Sequence, residues 1–216
     1  MSKIDKNKQI KRESLLETAF RLFTSKGIQK TSISDIVEDA GVAKGTFYLY
    51  FKDKYDIRNK LIAHKSSEVF KRADLALQET GITGLEERVI FLIDHIINQL
   101  VEDKTLLRFI SKNLSWGVFK NVLIEAGGDS EVDFYDIYHS MFGDEGRFEN
   151  PEVMVFMMIE LVGATCYSAI LYSEPVGIDE LKPYIFRTIK GMMAMHRMTD
   201  QTKTESDIQD LICKKV

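Results

Sequence analysis

The chain has 216 residues and a formal net charge of −4, with 44% hydrophobic and 29% charged residues and only three prolines. This balance is that of a folded, helix-rich protein and excludes a disordered or fibrous chain. Cys166 and Cys213 lack the spacing of a disulfide framework or metal site, so we expect a reducing compartment, no metal and no cofactor. The charged start has no apolar run of the kind that directs secretion, which favours the cytoplasm.

Charge is distributed unevenly along the chain. Residues 1–60 contain 13 Lys and Arg against 8 Asp and Glu, a net charge of +5, whereas residues 61–216 contain 16 against 25, a net charge of −9. A basic module attached to an acidic body is typical of a protein that binds nucleic acid through one end. A basic terminus can also be a solvated surface, so charge alone does not decide between the two interpretations.

The first quarter of the chain predicts three helices and the start of a long fourth. Apolar residues recur at helical spacing over 7–26, and a glycine follows. Ser32 and Asp35 have the spacing of a capping box for a second, short helix, and a Gly turn separates it from a third over 44–50. Asp53 then caps the fourth helix. This order predicts a helix-turn-helix.

GVAKGTFYLYFKDK, residues 41–54, combines two glycines, four aromatic residues and three lysines with a single acid. The start of a recognition helix enters the major groove, where it needs donors for base edges and phosphates and little bulk. Taken singly, each lysine could be an ordinary surface residue and each tyrosine a half-buried one, so the DNA-binding interpretation rests on their agreement with the turn, the caps and the charge. The candidate DNA contacts are Ser32, Ser34, Lys44, Gly45, Thr46, Tyr48, Tyr50 and Lys54.

The segment TSISDIVEDAGVAKGTFYLYFKDKYDI resembles the DNA-binding signature of the TetR family of bacterial transcriptional regulators, and the resemblance covers about residues 8–60. Departures are mild, because Val37, Phe47 and Ile57 only exchange one apolar residue for another. Ala43 stands where Ser is common, and this departure alone affects a polar role. It removes an N-cap hydroxyl worth about 1 kcal/mol of helix stability, together with one phosphate donor.

The resemblance implies an all-α fold with an N-terminal helix-turn-helix domain of three helices, residues 1–55, and a larger helical domain, residues 56–216, for ligand binding and dimerisation. Members of the family pair through their last two long helices, for which 151–173 and 179–196 are the candidates. Small residues there permit close approach of helices. The expected interface residues are Met157, Glu160, Gly163, Ala164, Tyr167, Ser168, Ile185 and Ile189.

Residues 151–173 also have the length and apolar composition of a membrane span. Glu160 lies near the middle of the segment, and no cluster of Lys or Arg flanks either end. A helix buried by other helices explains these features better. A membrane-associated helical binding protein anchored by 151–173 remains the alternative function.

The sequence over 116–142 is rich in aromatic residues and methionine, a composition that suits the wall of an apolar effector cavity and equally suits ordinary packing. His139 and Glu160 are the polar groups that would orient a ligand there, although a structural role suits each of them as well. The expected effector-binding residues are Trp116, Phe119, Tyr135, His139 and Glu160.

Motifs of catalysis are missing from the sequence, which contains no HExxH, GxSxG, P-loop or GxGxxG and no metal-binding histidine spacing. We therefore expect no enzyme and no catalytic residue. The sequence predicts a cytoplasmic, homodimeric repressor that binds near-palindromic double-stranded operator DNA. It would release that DNA when a small, mainly apolar effector binds.

Overall fold

The computed structural model describes residues 3–111, 142 and 147–198, with side chains from residue 5 onward. Eight helices make up most of these ranges, and the all-α fold expected from the sequence is confirmed. The helices, numbered in chain order, are α1 Lys3–Ser25, α2 Ile33–Asp39, α3 Lys44–Tyr48, α4 Lys54–Gln78, α5 Leu85–Glu102, α6 Lys104–Ser111, α7 Pro151–Tyr172 and α8 Ile178–His196.

A first hydrophobic core joins α1, α2, α3 and the beginning of α4. Positive φ angles at Gly27 and Gly41 make the turns that follow α1 and α2, a backbone conformation that glycine adopts without strain. Ala40 and Val42 lie at the partly buried edge of this core. The fully buried members of this core are Leu15, Leu16, Ala19, Phe23, Ile36, Val37, Phe47, Phe51, Ile57, Leu61, Ile62 and Phe109.

The long helix α4 crosses the domain boundary expected at residue 55. Its residues Ile57, Leu61 and Ile62 belong to the first core, whereas Val69 packs with α6 in a separate small cluster. One continuous helix therefore links the two units. The division into residues 1–55 and 56–216 stays a prediction, with α4 shared between the units.

A second core is built from α5, α7, α8 and the segment before α7. The apolar face of α5 packs there through Leu85, Val89 and Ile97. Helix α6, which the sequence did not predict, packs against both α5 and α7. Its buried residues have helical spacing, but at eight residues the helix is too short for a clear pattern in the sequence.

By length and composition, α7 is the single helix in the described part of the chain that could cross a membrane. Its residues Met154, Met158, Cys166 and Ile170 are buried in the second core. Packing against α8 and α6 accounts for this buried face of the helix.

Phe109 of α6 connects the two units, because its ring belongs to the first core while its helix packs in the second. It meets Phe20 of α1 edge to face, with ring centroids 5.2 Å apart. The Lys65 ammonium of α4 lies 5.5 Å from the Phe20 ring centre. Three helices thus meet at one aromatic contact.

Candidate DNA-binding surface

A capping box starts α2 at Ser32. The Ser32 hydroxyl accepts a hydrogen bond from the Asp35 backbone N–H at 3.1 Å, and the Ser32 N–H donates to the Asp35 carboxylate at 2.8 Å. The bond from the Ser32 backbone, followed by that from the Lys26 ammonium, lowers the pKa of Asp35 from 3.8 to about 2. Ser32 therefore caps the helix, while Ser34, two residues further along, is exposed.

Helix α3 is held to the core by one side chain, Phe47, which is completely buried and packs on Phe51 at 5.4 Å between ring centres. As the sequence suggested, the Ala43 N-cap makes no side-chain hydrogen bond. With Phe47 inward, the opposite face of this short helix points to solvent. The exposed residues of that face are Lys44, Gly45, Tyr48 and Leu49.

The free chain leaves open space at Gly45, where an added Cβ would meet no other atom within 4 Å. A need for glycine at this position would therefore come from a bound partner and not from the fold. Tyr48 is 53% exposed, whereas Thr46 and Tyr50 are half-buried beside it. The Tyr50 carbonyl accepts a 3.0 Å hydrogen bond from the Lys60 ammonium, which fixes the end of the helix to α4.

Lys54 differs from its expected role as a phosphate ligand. Its ammonium donates to the backbone carbonyls of Ile28, Gln29 and Thr31 at 3.2, 3.4 and 3.5 Å. An ammonium has three donors, and these contacts use them all. The structure thus assigns Lys54 to holding the loop between α1 and α2 against the start of α4.

Leu49 was missed by sequence reasoning. It is 78% exposed, the largest exposure among the large hydrophobic side chains that the structure describes. Its position two residues after buried Phe47 and two before buried Phe51 places it on the outer face of the turn. The spacing of the two phenylalanines was the signal that could have identified it.

Exposed Lys52 and Tyr55 flank the start of α4 and were also not predicted as contacts. The guanidinium of Arg58 lies 5.6 Å from the Tyr55 ring centre, within cation–π range. These side chains extend the basic and aromatic surface from α3 onto α4.

The structure describes one of the five expected effector-binding residues. Trp116, Phe119, Tyr135 and His139 lie outside the described residues. Glu160 is on an exposed face of α7, away from the buried core residues of that helix. The structure therefore does not bring Glu160 into a buried site with described partners.

The prediction is wrong for two of the expected interface residues, which are buried within a single chain. Ile185 and Ile189 are 3% and 0% exposed and belong to the second core of a single chain, so they are not available to a partner. Glu160 and Ala164 are exposed on α7, while Met157, Gly163, Tyr167 and Ser168 are half-buried.

Cys166 is buried, and burial raises the pKa of its thiol to about 11, so it is protonated at neutral pH. Among the described residues, no group of three or more His, Cys, Asp and Glu side chains could hold a metal ion. Among the described residues, the exposed face of α3 is therefore the strongest candidate for a functional site.

The family model "Bacterial regulatory proteins, tetR family" matches residues 15–61, the segment that contains α2, α3 and the start of α4. Residues 15–61 therefore match the DNA-binding domain of this family. The prediction made from the signature segment is confirmed.

Curated relatives that match part of the chain are named as regulators. The HTH-type transcriptional regulator YdgC of Bacillus subtilis (strain 168) is 33% identical over 99 residues, covering 45% of this chain and 51% of that protein. The fatty acid metabolism regulator protein of the same organism is 30% identical over 101 residues, covering 47% and 51%. The chain thus spans about half the length of the curated relatives it matches.

Solved structures of two bacterial regulators share the fold. The fatty acid degradation regulator FadR from Bacillus halodurans superposes with a TM-score of 0.58 at 17% identity, covering 82% of this chain and 96% of that one. A TetR-family transcriptional regulator from Streptomyces coelicolor gives 0.57 at 13% identity, covering 87% and 98%. At these identities the likeness establishes the fold alone.

Proposed function

We propose that this tetR-family chain is a homodimeric transcriptional repressor that binds a near-palindromic operator and releases it when a small, mainly apolar effector binds. The observation that carries the proposal is the outward face of α3, where Lys44, Gly45, Tyr48 and Leu49 are exposed around the buried Phe47 anchor. Its relatives are named as transcriptional regulators, which supports a regulatory and non-enzymatic role in the cytoplasm.

In the proposed complex, the start of α3 lies in the major groove. Lys44 donates to a base edge or phosphate, Tyr48 donates its phenol to a phosphate, and Gly45 lets the backbone approach closely. Ser34 and the half-buried Thr46 supply hydroxyls at the edge of this surface. Lys52 and Tyr55 replace Lys54 as the contacts from α4, because they are exposed.

Leu49 suits an apolar contact with a thymine methyl group. Replacing single thymines of the operator by deoxyuridine removes that methyl group and nothing else. One such position should weaken wild-type binding several-fold and leave the binding of Leu49→Ala unchanged. Equal sensitivity of both proteins at every thymine would remove Leu49 from the readout.

The proposed dimer uses the surface of α7 and α8 that one chain leaves exposed. Val153, Phe156, Glu160 and Ala164 follow each other at helical spacing on α7, and Tyr184 is exposed on α8. Large exposed apolar side chains on adjacent helices are typical of an interface. A two-fold dimer would place two α3 helices about one helical turn of DNA apart, ~34 to 36 Å, or somewhat more.

The proposed effector binds the second unit and acts through α4 and α6. Such a ligand can shift DNA binding only by its difference in affinity between the two conformations, and a hundredfold difference corresponds to about 2.7 kcal/mol per site. The two relatives named for fatty acid regulation make an apolar acyl compound a suitable first probe. Trp116 is the only tryptophan, so its fluorescence can report binding nearby.

The test is selection of bound sequences from random duplex DNA, followed by release of the selected operator with acyl and aromatic compounds. The wild-type chain should enrich a near-palindrome. Lys44→Ala should lose about 1 to 3 kcal/mol of discrimination between operator and random DNA, whereas Lys190→Ala, an exposed control on α8, should keep it. Failure to enrich any sequence would contradict the proposal, and an operator that no compound releases would contradict its effector.

A further inference from the structure

The N-terminal part of α1 extends beyond the first core. The helix begins at Lys3, but its first buried side chain is Leu15. Every side chain from residue 5 to residue 11 is exposed. At 1.5 Å per residue, the distance along the helix from Leu15 to Lys3 is about 18 Å.

This projecting segment is basic. Residues 3–13 contain five basic side chains and two acidic ones, Asp5 and Glu13. The Glu13 carboxylate accepts a 3.0 Å hydrogen bond from the Gln9 side chain. In the described part of the chain, the ammonium groups of Lys6, Lys8 and Lys11 form no salt bridge.

Three contacts show in which direction the segment projects. Lys26 pairs with Asp35 at 2.9 Å and Arg21 pairs with Asp39, so α1 and α2 run antiparallel. Further towards the N-terminus, the Ser14 hydroxyl donates to the Ala40 carbonyl at 3.3 Å, at the turn between α2 and α3.

Residues before Ser14 therefore pass beyond the turn from which α3 starts. Ala40 precedes the exposed Lys44 by four residues, so α1 leaves the first core on the side of the turn that leads into α3. A DNA duplex bound to the outer face of α3 would present its next phosphates on the side where the lysines are.

We propose that residues 3–12 of α1 form a second DNA-contacting element, which binds backbone phosphates flanking the half-site contacted by α3. The inference rests on the proposed function and extends it to a site outside the helix-turn-helix. Phosphate is the matching chemistry because the lysines are exposed, mobile point charges with no fixed geometry for reading base edges. A reach of about 18 Å corresponds to about five base pairs on each side of the operator.

The test compares two triple variants with equal loss of charge. Lys6→Gln/Lys8→Gln/Lys11→Gln removes the charges of the projecting segment, and Gln has nearly the same helix propensity as Lys. Lys71→Gln/Arg72→Gln/Lys104→Gln removes three exposed charges of α4 and α6 as the control. Operator affinity is measured by fluorescence anisotropy over a series of salt concentrations, on duplexes with and without six flanking base pairs of arbitrary sequence.

Each lost phosphate contact lowers the slope of log affinity against log salt by about 0.9, so one contact per subunit lowers the slope of a dimer by about two units. The segment variant should show this loss, should gain nothing from the flanking base pairs and should keep the base preference of the wild type. The control should match the wild type in all three respects.

Two results would overturn the inference. A segment variant with the slope and flank dependence of the control would show that the segment is a solvated helix, and a changed base preference would show that it does not merely bind phosphate. If the wild-type chain selected no operator, the proposed function would fail instead, so the two failures are distinguishable.

Discussion

Phe47 illustrates how one buried side chain orients the polar residues around it. It is the only buried residue of α3, and the helix is five residues long. A helix so short has little intrinsic stability, so its orientation comes from this anchor and its contact with Phe51. Lys44 and Tyr48 point outward because Phe47 points inward.

The contacts of Lys54 predict a role in stability, whereas the sequence predicts a DNA contact at this residue. Lys54→Met keeps an unbranched apolar stem but removes the ammonium from the carbonyls of Ile28, Gln29 and Thr31. We expect the free energy of unfolding to fall by about 1 to 2 kcal/mol in chemical denaturation. The salt dependence of DNA binding should keep the wild-type slope.

Exposed Lys52 is the matched control for Lys54. Lys52→Gln should leave stability unchanged and lower the salt slope by about 0.9 per phosphate contact. If Lys54→Met had full stability and a reduced salt slope, Lys54 would be the phosphate ligand that the sequence suggested.

At the scale of single helices, the Asp35 carboxylate makes the start of α2 sensitive to acid. Its pKa falls from 3.8 to about 2 on folding, because the folded chain stabilises the charged form. This contribution to stability is fully present above about pH 4 and is lost as the pH falls through about 2. Asp35→Asn should therefore be less stable than the wild type at pH 6, and the difference should shrink between pH 4 and pH 2 in denaturation measured by circular dichroism. A difference that stays constant over this interval would contradict the assignment.

Helices α7 and α8 allow an exposed position to be compared with a buried one. Ala164→Glu places a charge on the exposed face of α7 and should give a folded monomer, seen by analytical ultracentrifugation with unchanged helical circular dichroism. Ile189→Glu places a charge in the core and should instead unfold the second unit, since an unpaired buried charge costs several kcal/mol. A fully dimeric Ala164→Glu would move the interface away from this face.

At the scale of the whole molecule, two features connect the N-terminal unit with the second unit: helix α4 and the contact between Phe20 and Phe109. We expect the stability of the N-terminal unit to depend on this connection. Phe109→Ala removes a buried aromatic side chain shared by both units, at a cost of about 3 to 5 kcal/mol. We expect the N-terminal unit to unfold at a lower temperature than the rest, as a separate transition in differential scanning calorimetry. Leu75→Ala, at a 62% exposed position of α4, should unfold as the wild type does. Identical transitions in the two variants would argue against coupling at Phe109.

The features of the fold and site that could be predicted are those set by short-range sequence patterns. The capping box at Ser32, the cap at Asp53 and the limits of α7 and α8 follow from short-range patterns and agree with the structure. Helix α6 was missed because its eight residues offer too few repeats. Leu49 was missed although its position midway between buried Phe47 and buried Phe51 indicates an outward-facing side chain.

Sequence alone determined the tetR-like DNA-binding segment, the all-α class and the face of α3 that points to solvent, because these depend on residue spacing within a few helical turns. The tertiary structure decided which apolar and charged residues remain available. Ile185 and Ile189 have the periodicity of an interface, but packing of α8 on α7 buries them. Lys54 has the charge of a phosphate ligand, but the loop after α1 surrounds its ammonium with carbonyls. Whether a side chain is available to a partner depends on contacts between residues far apart in the chain, such as Lys54 and the carbonyls 23 to 26 positions before it, which short-range spacing does not encode.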